Sequence, residues 1–108
     1  MEYKYFDREQ CKFLPIHGKV YPANFASLWT AIPALMDENL ILHKTLNPGK
    51  PKWTCSHAGT GFAIAYGKTR QEAMKKAESI ILHQGNERFL KAINYAQALK
   101  ETREAVNA

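Results

Sequence analysis

The sequence predicts an α+β domain: a helix, a three-stranded antiparallel sheet and a second helix, with an N-terminal extension and an extra C-terminal helix. Three observations carry this. Residues 39–67 hold three short runs rich in aliphatic and aromatic residues, "NLILHKTL", "KWTCSH" and "GFAIAYG", with turn residues between them. At Thr69 the hydrophobic period changes from two to about 3.6. Residues 23–36 and 70–99 set apolar side chains at helical spacing.

In chain order, the first twenty residues mix aromatics with Pro15 and Gly18. Tyr3 and Tyr5 alternate as in a short strand, and "FLPIHGKVY" reads as a second strand or a turn over the core. Phe25, Leu28, Trp29, Ile32 and Met36 then form one helical face between Ala23 and Met36. Pro33 lacks an N–H and its ring crowds the preceding turn, so a kink is expected near Trp29 to Ile32. The strand "NLILHKTL" is followed by the turn "NPGKP". "KWTCSH" and "GFAIAYG" pair through a tight "AGT" hairpin. In the third strand Phe62, Ile64 and Tyr66 point one way and Ala63, Ala65 and Gly67 the other. Neither side is polar, which predicts a central strand covered on both faces, with a helix close against the alanine side.

Thr69 and Glu72 match the S/T-x-x-E capping box, which opens a helix. Ala73, Met74, Ala77, Ile80 and Ile81 form its buried stripe, while Glu72, Lys75, Lys76, Ser79 and His83 face out. "QGN" stops this helix at Gly85 and caps the next at Asn86. Phe89, Leu90, Ile93, Ala96 and Leu99 make the last helix amphipathic until it frays near "REAVNA".

A chain of 108 residues supports one core, so residues 1–108 are expected to form a single domain. A hydrophobic fraction of 45% argues for a packed globule. No apolar run is long enough to span a membrane, and "MEYKYFDREQ" is charged where a secretory signal is apolar. Cys11 and Cys55 are too few for a disulfide framework, which points to reduced thiols and a cytoplasmic location. The net charge of +5 is concentrated: residues 39–76 hold seven basic side chains and one acid, Glu72, a net of +6. A basic segment of this kind attracts polyanions by neutralising phosphates and releasing counterions; the plainer reading is a solvated lysine surface.

Signatures of catalysis are missing. The chain has no HExxH, paired CxxC, Walker loop or G-x-S-x-G, and the glycines of "GTGFAIAYG" bracket a strand instead of joining a strand to a helix. Cys55 and His57 share a strand face, but positions two apart are separated by roughly 6–7 Å at the backbone, too far for a thiolate–imidazole pair. With a distant His43 or Cys11 they lack the close ligand pairs of structural zinc sites. No enzyme activity and no cofactor are therefore expected. Trp53 either stacks on a base or lies in the core, and its place within a strand favours the core. Tyr3, Tyr5, Phe6 and Tyr21 are expected to cover the second face of the sheet, with a homodimer seam as the alternative.

The order helix, three strands, helix, with "AYGKTRQEAM" opening the last helix, resembles the double-stranded-RNA-binding domain over residues 22–84. Gly67, Thr69, Arg70 and Ala73 agree with that family's G-x-G-x-[ST]-K-K-x-A-K motif, whereas Ala65, Gln71 and Met74 depart from it. The stretch also resembles small phage- and plasmid-encoded proteins. The resemblance implies phosphate contacts across a groove from the motif, and minor-groove contacts from the first helix and the first strand–strand loop. The leading expectation is thus a non-catalytic nucleic-acid-binding domain, with duplex RNA as one partner. It would use Lys44, Lys50, Lys52, Lys68, Arg70, Lys75 and Lys76. The alternative is a small protein-binding module or inhibitor, of the kind mobile elements encode, acting on an acidic or nucleic-acid-handling protein.

Overall fold

The computed structural model describes residues 3–7, 9–46 and 49–107, and of 104–107 the backbone only. Its strands are β1 (Lys4–Asp7), β2 (Lys12–Pro15), β3 (Tyr21–Ala23), β4 (Leu40–Lys44), β5 (Trp53–His57) and β6 (Ala63–Gly67). Two short 3-10 turns, Ala26–Leu28 and Pro33–Asp37, lie between β3 and β4. Helix α1 (Arg70–Asn107) follows β6 and is broken once, at Gly85, into limbs 70–84 and 86–107. The fold is α+β. β1 and β2 form a separate antiparallel hairpin, and the main sheet is antiparallel in the order β3-β4-β5-β6.

The register sets two faces. Leu42 lies between Tyr21 and Cys55, Cys55 pairs with Ala65, and Trp53 pairs with Gly67. These positions face α1, whose Ala73, Ala77, Ile81 and Phe89 close the core with Leu40, Leu42, Cys55 and Ala65. Small residues let the helix come close: a Cβ on Gly67 would lie 2.3 Å from the Ala73 nitrogen. The expected approach of a helix to the alanine side of the third strand is present at Ala65 and Gly67. On the opposite face are Ile41, His43, Thr54 and Ser56, and there the β1–β2 hairpin docks. Phe6 stacks on Phe62 at 4.7 Å, Phe13 meets Phe6 edge-on, and the Phe6 N–H donates to the Gly61 carbonyl at 2.8 Å.

Four expectations are corrected. The helix over residues 23–36 is replaced by the two 3-10 turns, and Phe25, Leu28, Ile32 and Leu35 supply the buried face while Trp29 and Met36 are exposed. Pro33 is the cause: it removes a donor, and it holds Ile32 outside the helical region, at φ −128° and ψ 74°. The sheet has four strands, not three, because Tyr21–Ala23 pairs with β4. β6 is an edge strand, not a central one, and a register shift at Cys55/Ser56 pairs Ala63 with Ser56. That bulge breaks the simple alternation and moves Ala63 off the face shared by Ala65 and Gly67. Finally, Tyr21 lies on the α1 side, edge-on to Trp53 at 6.0 Å, and not over the second face with Tyr5 and Phe6. The "AGT" hairpin is a five-residue connection, 58–62, and part of the "NPGKP" turn lies outside the described residues.

Candidate functional site

One end of the main sheet collects the cations. Lys44, Trp53 and Gly67 are aligned across β4, β5 and β6, so the 45–52 connection and the start of α1 emerge side by side. Lys52 accepts a backbone hydrogen bond from Thr45 there, and Lys68 follows Gly67 directly. The Arg70 guanidinium lies over the Tyr21 ring at 4.1 Å and the Trp53 ring at 5.5 Å. The Lys50 ammonium sits 5.5 Å from the centre of the Tyr66 ring. Since Tyr66 pairs with Thr54 and Trp53 with Gly67, the two aromatic stations are on opposite faces, and the cations wrap around the rim between them.

The capping box forms as expected: the Glu72 N–H donates to the Thr69 hydroxyl at 3.1 Å. Its carboxylate is also paired with Lys76 at 3.1 Å. Hydrogen bonds from the Lys76 ammonium and then the Lys68 backbone hold the Glu72 carboxyl below its ordinary value of 4.5. Lys75 and Lys76 continue along the solvent side of α1 beside Thr69, Gln71 and Ser79. The seven sequence-selected cations thus separate into five at the sheet end and two on the helix, one of these two neutralised. Among the described residues, Lys76–Glu72 is the one ion pair of a basic residue from this group with a carboxylate.

Two buried histidines are engaged elsewhere. At the opposite end of the sheet, the Thr60 N–H donates to His57 Nδ1 at 3.1 Å, so Nε2 carries the proton and donates to Glu38 at 2.5 Å. His43 Nδ1 donates to the Lys44 carbonyl at 3.0 Å, leaving Nε2 to accept the Ser56 hydroxyl at 2.9 Å. Ser56 is 1% exposed, and the crevice beside it holds about 20 Å³, too little for a substrate. Cys55 is fully buried, and burial pushes its thiol up to about 12, so no thiolate is available for chemistry with His57. These pairs satisfy polar groups inside the fold. Among the described residues, no three His, Cys, Asp or Glu side chains converge as metal ligands, and no helix is long and apolar enough to cross a membrane.

Sequence reasoning selected the cations but missed their aromatic partners. The sequence pattern places Tyr66 simply on one side of a strand and assigns Tyr21 to the cover of the second face. Trp53 is half-buried and packs against the core, so the core reading holds in part, and the Arg70 guanidinium lies over its ring. Comparison with protein-family models, characterised proteins and solved structures returns no match.

Proposed function

We propose that the chain is a cytoplasmic, non-catalytic nucleic-acid-binding domain that meets phosphates at the cationic end of its main sheet. The observation that carries this is the gathering of Lys44, Lys50, Lys52, Lys68 and Arg70 around one rim, none of them in an ion pair among the described residues. Arg70 is exposed and its guanidinium is held over two rings, so little side-chain entropy is lost when it grips a phosphate. Binding of this type is steeply salt-dependent. If all five cations meet phosphates of a single strand, log K should fall with log salt at a slope of about −3.5. Titration of single- and double-stranded oligonucleotides at about 50 and 200 mM salt tests it. Arg70→Gln should make the slope shallower by about 0.7, and salt-independent or absent binding sinks the proposal.

The second reading is a protein-binding module or inhibitor whose basic rim meets an acidic or nucleic-acid-handling partner. Exposed Leu82, Leu90 and Tyr95 on α1 favour it, because apolar side chains in water are characteristic of contact surfaces. A stoichiometric protein partner with no oligonucleotide affinity distinguishes this reading from the first.

A further inference from the structure

We infer that the cationic rim takes unpaired bases: a single-stranded oligonucleotide stacks one base on Tyr66 and lays its phosphates on Lys50, Lys52 and Arg70. This rests on the nucleic-acid reading and names its substrate class. Tyr66 points to the face away from α1, opposite Thr54, and is half-buried. The β1–β2 hairpin covers the far end of that face through Phe6 and Phe62 and stops beside Tyr66. What lies over the Tyr66 ring is the exposed ammonium of Lys50, at 5.5 Å from its centre.

Magnitudes decide which occupant wins. An exposed ammonium over a tyrosine contributes about 0.5–1 kcal/mol. A base stacked on an aromatic ring contributes about 1–3 kcal/mol. A base therefore displaces the ammonium from the ring, and the displaced cation becomes available to that nucleotide's phosphate. The Arg70 station differs: its guanidinium already covers two rings, so it keeps its seat and acts on phosphate alone. A duplex cannot use Tyr66, because its base faces are stacked on each other and it offers only phosphates, sugars and groove edges. The stretch between β3 and β4, two short 3-10 turns, also gives no helix to lie in a minor groove.

The experiment is fluorescence anisotropy of labelled oligonucleotides of about twelve nucleotides, single-stranded and as blunt duplexes, with inorganic polyphosphate as competitor. Single strands are expected to bind more tightly than duplexes. Tyr66→Leu, which keeps apolar bulk without a π face, should weaken single-strand binding by about 5- to 50-fold and leave duplex affinity within about twofold. Tyr66→Phe should retain single-strand binding, and circular dichroism confirms that each variant is folded. Equal affinity for both forms, or single-strand affinity indifferent to Tyr66→Leu, overturns base stacking while leaving phosphate binding in place. Absence of binding to any oligonucleotide overturns both.

Discussion

At Gly67 a single hydrogen atom sets the distance between sheet and helix. The Cβ of any other residue would collide with the backbone at Ala73, which neither a rotamer change nor a flexible side chain can relieve. Gly67→Ala is expected to cost about 2–3 kcal/mol, read as a lower urea midpoint. His43 supplies a second expectation. Burial lowers its pKa from 6.5, with the Lys44 carbonyl opposing the shift more weakly. Below 6.5 the unfolded chain takes up a proton that the folded chain refuses, so the contribution of this group is present above 6.5 and is lost as pH falls toward the depressed folded value. Urea unfolding between pH 7.5 and 5.5 should show this loss, about one proton's worth of slope at most, and His43→Gln should remove that part. That Cys55 makes no catalytic pair with His57 was legible from their strand spacing, but the hydrogen bonding of His43 was not, because its partner Ser56 comes from another strand.

At the scale of elements, the break in α1 depends on Gly85. Its φ of 79° and ψ of 170° fall in a region that only glycine enters freely. Gly85→Ala should therefore destabilise by about 1–3 kcal/mol, or straighten the helix at the expense of contacts made by the second limb. Thermal unfolding measures the first outcome. Loss of the hydrogen bond from the Ala34 N–H to the Asn86 side chain, visible as faster amide exchange, reports the second. The stop at Gly85 was readable because glycine after a periodic apolar run is a local signal. So were the β4, β5 and β6 runs and the Thr69 cap. The stretch 23–36 was not, since its apolar spacing of three and four suits an α-helix and a pair of 3-10 turns alike. Pro33 decided between them, through the non-helical backbone it imposes on Ile32. Asn86 shows the same limit: its side chain reaches across to Ala34.

For the molecule as a whole, the N-terminal hairpin is attached by a cluster of three phenylalanine rings and a hydrogen bond to Gly61. Phe6→Ala should cost about 2–4 kcal/mol and release β1 and β2 first, seen as faster hydrogen exchange there than in β4 or α1. Contacts of this kind, and those of Arg70 with Tyr21 or Lys50 with Tyr66, join segments far apart in sequence. The charge excess over residues 39–76 was therefore legible, whereas its division between the two faces of a sheet end needed the register. The borders of that sheet have a consequence of their own. β3 carries Pro22, which has no N–H to offer a neighbour, and β6 is kinked by its bulge and flanked by α1. Neither border is a flat template for another chain's strand. Concentrated solutions are thus expected to resist the growth of amyloid-like fibres, even though the chain contains runs such as "LILH" that would seed them if laid bare.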